Sequence, residues 1–227
     1  MLRKWEDLPS FMKNDEVKEY YDILKNKRIS LLLKRCFDII ISIFLLLILF
    51  IPMLVIALII KLDSKGPVFY RQERVTRYGK KFRIHKFRTM INNAEKVGTT
   101  VTVGNDSRIT KAGRKLRELR LDELPQLLDV LKGDMSFVGT RPEATKYVEK
   151  YTNEMFATLL LPAGVTSEAS ILYKDEAELL EKSDSVDKIY VEEVLPKKME
   201  YNLRSIRMFS FFNDIKLMIK TFFVIFM

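Results

Sequence analysis

Two adjacent carboxylates, Asp122 and Glu123, follow a helix-like run of arginines in the segment RKLRELRLDELPQ. Arg117 and Arg120 are three residues apart, so in a helix they would project from one face. Pro125 is tolerated only in the first turn of a helix, which predicts that the next helix begins near Asp122. The two carboxylates would then lie at a helix N-terminus, where backbone N–H groups and guanidinium groups favour anions.

This combination of residues contains the parts that phosphoryl transfer uses. Arginines bind phosphate oxygens, an acidic residue can hold a divalent cation, and a carboxylate can attack phosphorus to form an acyl phosphate. A purely structural interpretation is also open, in which Asp122 caps a helix and Glu123 interacts with the helix dipole. The residue types alone do not decide between these two interpretations.

Other kinds of catalytic site are restricted by composition. The single cysteine, Cys36, excludes an internal disulfide and a multi-cysteine metal cluster. A histidine-based zinc site or a Ser-His-Asp triad would depend on the single histidine, His85, for which a role in strand packing or at the surface is expected. The chemistry therefore depends on carboxylates, arginines and lysines.

The positive charge of the chain is concentrated in one region. The formal net charge is +9, but residues 66–120 hold fifteen Lys and Arg against four acidic residues, a net +11. The remainder is therefore close to −2. Such a region suits a polyanionic partner, which charge alone leaves as nucleic acid, a nucleotide diphosphate or an anionic membrane surface.

The elements that must position the carboxylates are predicted from periodicity in a chain long enough for one good core. β-Branched and aromatic residues in 68–75 and 82–87 indicate a short β-hairpin. Helices are predicted for 111–120 and 123–131, the second ended by Gly133. Further helices are predicted at 14–27 with Asn14 as its cap, at 176–181, at 186–195 and, in the membrane interface, at 210–227.

A long apolar run precedes this region. Residues 39–60 are 22 residues with Ser42 as the only polar side chain. As a straight helix they would extend about 33 Å, close to the thickness of the hydrocarbon core of a bilayer. A helix that is apolar on every face is rare in the core of a soluble protein, so the run predicts membrane insertion. It lacks the flanks of a cleaved signal peptide.

The residues around the run favour a path that enters and leaves the membrane on one side. Lys34 and Arg35 precede it and Lys61 and Lys65 follow it, and basic flanks favour the cytoplasmic side. Pro52 removes a backbone donor inside the run and kinks or breaks the helix there. A single span with a tolerated proline is the alternative.

Several segments together resemble the bacterial sugar transferases, also called monotopic phosphoglycosyl transferases. The resemblance extends from about Lys34 to Pro142. The matching segments are KRCFD (34–38), SKGPVFYRQERV (64–75), KFRTM (86–90) and NDSRITKAGRKLRELRLDELPQLLDVLKGDMSFVGTRPE (105–143). Many motifs in the order of the family are far more specific than one short motif.

The resemblance implies transfer of a sugar 1-phosphate from a UDP-sugar to undecaprenyl phosphate, with release of UMP. This would be the first membrane step in the assembly of a surface glycan such as a capsule or O-antigen. It also implies a re-entrant helix-break-helix with the break at Pro52, and a catalytic domain on the cytoplasmic face of the bacterial inner membrane.

The site residues that the resemblance implies centre on the Asp-Glu dyad. Asp122 would be the covalent nucleophile and Glu123 the residue associated with Mg²⁺. The expected substrate-binding residues are Arg88, Arg117, Arg120, Arg141 and Pro142. For Arg88 a second role stays open, in which it ties the hairpin to the active-site helix. Three departures from the family pattern are Thr140 for the first proline of Pro-Arg-Pro, Ile51 for a frequent serine, and residues 162–167 for a PGITG-like segment.

The expected architecture is α+β and mostly helical, with three parts: an amphipathic N-terminal extension (1–33), a re-entrant membrane hairpin (34–61), and a cytoplasmic catalytic domain (62–227) with a C-terminal interfacial helix. The expected partners are the UDP-sugar, undecaprenyl phosphate and membrane lipid, with a second copy or downstream glycosyltransferases as further partners, and no nucleic acid. The rival hypotheses are a membrane-tethered nucleic-acid-binding protein and a silent scaffold for glycan assembly. The first would have no use for an Asp-Glu pair, and the second would be expected to have lost it.

Overall fold

The computed structural model of the chain describes residues 2–92, 94, 106–173 and 186–226. The helices are α1 (Asp15–Lys25), α2 (Arg28–Asp63), α3 (Lys111–Glu118), α4 (Leu127–Lys132), α5 (Thr145–Val148), α6 (Glu168–Leu172), α7 (Val186–Ile189), α8 (Leu195–Arg207) and α9 (Phe211–Phe226). The strands are β1 (Phe69–Val75), β2 (Lys81–Phe87), β3 (Met135–Val138) and β4 (Ala163–Thr166). Short 3₁₀ helices cover Trp5–Asp7, Ser10–Met12, Arg77–Gly79, Leu121–Gln126 and Glu154–Leu160, and a π-helical turn, Tyr190–Val194, joins α7 to α8. The mostly helical α+β class is confirmed, while the helix predicted at 176–181 lies outside the described residues.

The predicted β-hairpin is confirmed to within one residue at each end. β1 and β2 pair antiparallel, from Phe69 opposite Phe87 to Val75 opposite Lys81. The turn between them uses Tyr78 at φ 60° and Gly79 at φ 74°, both in the left-handed region. A second pair, β3 and β4, is parallel. The sequence did not indicate this pair, because four-residue strands are too short to show a period.

The N-terminal helix α1 begins where its cap predicts. The side chain of Asn14 accepts a hydrogen bond from the backbone N–H of Val17 at 2.9 Å. Its apolar stripe is buried in the largest core cluster, which also contains side chains of the C-terminal half of the chain. The buried residues on these two sides are Val17, Tyr20, Tyr21 and Leu24 on α1, and Tyr147, Tyr151, Leu160, Leu195 and Met199 opposite them.

The helix predicted at 186–195 extends to Arg207 through α8. Pro196 lies in the first turn of α8, where a missing N–H breaks no helical hydrogen bond. The π-helical turn before it lets one long helical segment include the proline.

The apolar run lies in α2, a single helix of 36 residues that includes Pro52. By length and composition it could cross a membrane, and only 6% of its most apolar window is buried. That exposure is unlike a core helix of a soluble protein. The helix is continuous through Pro52, so the helix-break-helix prediction is not confirmed and stays a prediction.

One stripe of α2 packs lengthwise against the rest of the fold. Phe37, Ile41 and Leu49 contact the core cluster formed by β2, α4 and β3. Ile56 and Ile60 pack with Phe87 and Leu116 in a third cluster. The opposite face, which includes Leu47, Ile51 and Leu58, is exposed. Both ends of the helix therefore contact the same domain.

Polar side chains at the N-terminal end of α2 fix it to this domain. Lys34 is 7% exposed, and its Nζ donates to Val138 O at 2.7 Å and pairs with Asp214 on α9 at 2.6 Å. Arg35 donates to Val130 O and Leu131 O, both at 2.7 Å, at the C-terminal end of α4. The KRCFD motif thus serves as a docking contact, in addition to being a basic flank.

His85 on β2 has the structural role expected of it. Its backbone N–H donates to Asp129 Oδ2 at 2.8 Å, and its Nδ1 lies 2.6 Å from Asp129 Oδ1. Asp129 is 1% exposed. The pair ties β2 to α4, the helix that follows the carboxylate dyad.

Candidate active site

The carboxylate dyad lies on the 3₁₀ helix Leu121–Gln126 between α3 and α4. The preceding residue, Arg120, has φ 56° and ψ 18° in the left-handed region, so the chain changes direction there. α3 already ends at Glu118. The prediction that Arg117 and Arg120 share one helix face is therefore wrong, because the left-handed residue rotates Arg120 away from the axis of α3.

The prediction that Asp122 begins an α-helix is correct only in part. The helical segment does start at that point, but its first six residues are 3₁₀ and the α-helix begins at Leu127. Pro125 explains this, because proline provides no N–H for an i→i−4 bond. The fourth, fifth and sixth positions of LDELPQ are therefore buried or half-buried around the dyad rather than spaced along an α-helix.

Glu123 is held by two cations from distant parts of the chain. Its Oε1 accepts from Lys86 Nζ at 2.7 Å and from Arg141 at 2.6 Å. Its side chain is 12% exposed. Burial alone would raise the pKa of Glu123, but Arg141 and Lys86 outweigh it and hold the pKa well below the usual range. Glu123 is therefore ionised across the physiological range.

Asp122 has the opposite electrostatic character. It is 8% exposed, and burial together with the neighbouring charge of Glu123 raises its pKa, while Lys86 and Arg117 partly oppose the rise. Two neighbouring carboxyl groups whose pKa values move in opposite directions are suited to different roles. Among the described residues, the carboxylate of Glu123 is bonded to Lys86 and Arg141, whereas no side-chain cation is bonded to Asp122.

Close packing beneath α3 positions Arg117 near Asp122. A Cβ added to Gly113 would lie 2.0 Å from Thr89 O, so α3 rests directly on the segment after β2. Arg117 Nε donates to Thr89 Oγ1 at 2.9 Å. Burial lowers the pKa of Arg117, and the charge of Asp122 counteracts that shift. The guanidinium of Arg117 therefore lies within electrostatic range of the Asp122 carboxylate.

Arg141 reaches the dyad from the loop after β3. Gly139 and Gly164 allow β3 and β4 to meet closely there, since a Cβ on Gly164 would lie 2.2 Å from Gly139 N. The loop then continues through Arg141 and the buried Pro142. This loop thus brings Arg141 to Glu123, with Pro142 next to it in the chain.

Arg88 and Arg120 have other contacts in the structure than the expected ones with the dyad. Arg88 is 5% exposed, and its guanidinium donates to the carbonyls of Lys65, Ser64 and Ile60 at 3.0, 2.6 and 3.3 Å. Its hydrogen bonds therefore tie the hairpin to the end of α2. Arg120 is exposed, and its backbone forms the turn into the dyad helix.

Sequence reasoning missed Lys86 as a residue of the site. Lys86 continues the face of β2 that carries Phe82 and Ile84, two residues buried at 7% and 3% exposure. A lysine on the inward face of a strand needs an acidic partner. Period-2 alternation was thus the signal that could have identified it.

A cavity of about 160 Å³ adjoins the dyad on the side of Lys86 and Arg141. Its wall contains side chains from five parts of the chain that sequence reasoning did not connect. They are Arg74, Ile84, Lys86, Gln126, Arg141, Pro142, Glu143, Tyr147, Tyr190 and Lys198.

The dyad has the donor set of a substrate-assisted magnesium site rather than of a complete protein cage. Among the described residues there is no group of three His, Cys, Asp or Glu side chains that could hold a metal. Mg²⁺ usually takes one or two carboxylates and completes its shell with water and substrate phosphates. The adjacent carboxylates of Asp122 and Glu123 would fit that need.

Comparison with known proteins places the chain among sugar transferases. The family model described as bacterial sugar transferase matches residues 29–227. The UDP-glucose:undecaprenyl-phosphate glucose-1-phosphate transferase of Escherichia coli K12 is 38% identical over 200 residues, 86% of this chain and 40% of that protein.

Two further relatives differ in length. A UDP-N-acetylgalactosamine-undecaprenyl-phosphate N-acetylgalactosaminephosphotransferase of Aeromonas hydrophila is 36% identical over 74% of this chain and 38% of its own length. The uncharacterized sugar transferase EpsL of Bacillus subtilis is 36% identical over 84% of this chain and 86% of its own length.

The chain spans about two fifths of the first two of these relatives and most of the third. The family match covers α2 from its second residue onward, the hairpin, the dyad and the C-terminal helices together. The chain therefore belongs to the bacterial sugar transferase family.

Proposed function

We propose that this protein is a phosphoglycosyl transferase that moves a sugar 1-phosphate from a UDP-sugar to undecaprenyl phosphate and releases UMP. The observation that carries the proposal is the buried dyad, in which Glu123 is bonded to two cations and Asp122 is not. The names of the relatives support the donor and acceptor classes, since they include transferases for glucose 1-phosphate and N-acetylgalactosamine phosphate.

In the proposed first step a carboxylate oxygen of Asp122 attacks the β-phosphorus of the donor. The bond from that phosphorus to the oxygen that bridges to the α-phosphate breaks, and UMP leaves with the electron pair. The product is an aspartyl phosphosugar, a mixed anhydride. Arg117 and Arg141 lie where they can hold the phosphate oxygens during the attack.

In the second step an oxygen of undecaprenyl phosphate attacks the same phosphorus. The bond to the Asp122 oxygen breaks, so the carboxylate is regenerated and the lipid diphosphate sugar is formed. Mg²⁺ held by Glu123 and the substrate phosphates would supply charge neutralisation for the diphosphate. Lys86 and Arg141 keep Glu123 ionised for that role.

The acceptor is a lipid, and the exposed face of α2 supports membrane association of the site. We propose that α2 enters the membrane from the cytoplasmic face only and bends at Pro52, without crossing. Both ends of α2 contact the same domain, through Lys34 and Asp38 at one end and Ile56 and Ile60 at the other. If α2 crossed the bilayer, its two ends would lie on opposite sides of the membrane and could not both contact the same domain.

The structure also bears on the nucleic-acid rival. Phe82 and Phe87, the aromatics beside the basic residues of β2, are 7% and 2% exposed. Stacking on bases needs exposed ring faces. The described aromatic residues of the hairpin core therefore do not support that function.

The test of the proposed function is UMP release. Purified protein is incubated with Mg²⁺, undecaprenyl phosphate and a panel of UDP-sugars, and we expect UMP from one donor or a few related ones. A folded protein that releases no UMP with any UDP-sugar in the panel contradicts the proposal.

The topology is tested by cysteine labelling in a Cys36→Ser background. Lys34 is buried, so the probes are placed at two exposed flanking positions, Lys27→Cys and Lys65→Cys. We expect a membrane-impermeant maleimide to label both in inverted vesicles and neither in intact cells. Labelling of either cysteine from outside intact cells would show that α2 spans the membrane.

A further inference from the structure

The cavity beside the dyad is lined by a buried side-chain amide whose nitrogen has no hydrogen-bond partner in the part of the chain that the structure describes. Gln126 lines the cavity and is 2% exposed. Its side-chain nitrogen, Nε2, is buried and has no hydrogen-bond partner among the described residues. Buried side-chain amides are nearly always bonded, so an unbonded one beside a cavity points to a ligand. The amide can rotate to present either its nitrogen or its oxygen.

The position of Gln126 connects the cavity to the reacting phosphate. Gln126 is three residues after Glu123 on the same 3₁₀ helix. Lys86 and Arg141 both bind Glu123 and line the cavity. The cavity therefore begins where the phosphate that Asp122 attacks would lie. In a UDP-sugar, that β-phosphate is bonded directly to the sugar ring.

The size of the cavity suits one ring. Its volume of about 160 Å³ is roughly half of the lower end of pockets that hold drug-sized ligands. It is too small for a complete nucleotide sugar, so the choice is between the sugar and the uracil base.

The aromatic residues of the wall favour the sugar. Tyr147 and Tyr190 are 4% and 3% exposed, and their rings pack against each other with centroids 4.4 Å apart. Lys198 Nζ lies 5.2 Å from the Tyr190 ring centroid. Neither tyrosine therefore offers an open face on which a base could stack.

The polar residues of the wall are suited to sugar hydroxyls. Tyr190 OH donates to Glu143 Oε1 at 2.7 Å, and Lys198 Nζ donates to Tyr190 OH at 3.2 Å. These hydrogen bonds place a carboxylate acceptor, a phenol and an ammonium donor in the wall of the cavity that Gln126 also lines. Hydroxyl groups both donate and accept hydrogen bonds, so a polyhydroxylated ring can use both kinds of partner.

We propose that this cavity holds the sugar ring of the donor and that Gln126 binds a hydroxyl or acetamido oxygen of that ring. Gln126 then contributes to the recognition of the sugar ring. The inference rests on the proposed function, since it assumes a UDP-sugar donor.

The test is Gln126→Met, which removes both polar atoms and nearly preserves the volume. Replacing an unbonded buried amide by an apolar group of similar shape is neutral or stabilising. We therefore expect the thermal stability of the free protein to be equal or higher. The kcat/KM for the preferred UDP-sugar is expected to fall roughly tenfold or more, and the ratio of kcat/KM between preferred and poor donors should fall with it. Inhibition by UMP should be unchanged, because UMP carries no sugar.

The control is Asn202→Leu, which removes a second buried amide. Asn202 is 4% exposed and lines a separate, smaller cavity. Its substitution is expected to leave the ranking of donors unchanged, whatever its effect on stability.

Two outcomes would overturn the inference. If Gln126→Met leaves the donor ranking unchanged in an active enzyme, Gln126 does not take part in recognition of the sugar. If UMP inhibition weakens in parallel with donor use, the cavity holds the nucleotide instead. A wild-type protein that is inactive with every UDP-sugar would instead contradict the proposed function itself.

Discussion

Asp122→Asn is expected to reduce UMP release by at least about 1,000-fold, the scale on which enzymes lose turnover when a nucleophile is removed. The amide cannot form the mixed anhydride that the carboxylate forms. The variant should stay folded, because the helix that carries Asp122 has no side-chain cap to lose. Removal of a buried charge that burial disfavours is also not a source of instability.

The decisive measurement is intact-protein mass spectrometry with the UDP-sugar alone. Wild-type protein should gain the mass of a sugar phosphate, and Asp122→Asn should gain nothing. UMP should appear from wild-type protein before any acceptor is added, which is the signature of ping-pong turnover. The matched control is Asp134→Asn, whose carboxylate pairs with Lys80 at 2.6 Å on the hairpin turn and which should keep wild-type activity.

Two results would contradict a nucleophilic Asp122. One is an adduct that persists in Asp122→Asn. The other is a wild-type protein that releases UMP only when both substrates are present, since direct transfer between the two substrates needs no covalent intermediate.

Glu123→Gln is expected to have the second-largest effect, on stability and activity together. The substitution leaves Lys86 and Arg141 without their counter-charge in a site where Glu123 is 12% exposed. Removing one partner of a buried ion pair costs about 3 kcal/mol or more. Turnover should fall roughly 100-fold, and the dependence of the residual rate on Mg²⁺ should weaken, because the expected metal carboxylate is lost.

The two effects can be separated by a second substitution. In the double variant Lys86→Met with Glu123→Gln, the more buried of the two uncompensated cations is removed, so part of the lost stability should return. Activity should not return, since no carboxylate is restored. The fluorescence of the single tryptophan, Trp5, which packs on Tyr21 in the main core, reports unfolding. Glu118→Gln, an exposed residue of α3, is the control and should be neutral.

One result would contradict the proposal that Glu123 binds Mg²⁺. Full wild-type activity in excess chelator would show that the diphosphate is neutralised by arginines and lysines alone. The loss of activity in Glu123→Gln would then reflect the misplacement of Lys86 and Arg141.

The pKa shifts of the dyad predict the acid side of the activity profile. Because the pKa of Asp122 is raised, Asp122 takes up its proton at a higher pH than an ordinary aspartate as pH falls. Glu123, whose pKa is lowered, is still ionised at that point. The acid limb of kcat/KM should therefore follow one protonation, that of Asp122.

Local patterns in the sequence determined the elements and the kind of chemistry. Strand alternation defined the hairpin, Asn14 defined the start of α1, and Gly133 with φ 84° ended α4. Proline and the adjacent acidic residues in LDELPQ indicated that a helical segment starts near Asp122, whereas the expected role of the dyad came only from the resemblance to the family. These features depend on neighbours within a few residues, where backbone sterics and side-chain period act, so they can be read from the chain alone.

Tertiary structure decided how the charges are used. Lys86 and Arg141 lie 37 and 18 residues from Glu123 in the chain, and no local pattern indicates that they share one carboxylate oxygen. The same is true of Lys34, which the sequence places on a basic flank and the fold uses to bind Asp214. A long cationic side chain can extend into solvent, bind a phosphate or pair with a buried carboxylate. Its neighbours in the sequence do not show which of these environments it occupies. Only the packing of distant segments removes water from a particular ion pair, and that desolvation sets both the partner and the pKa.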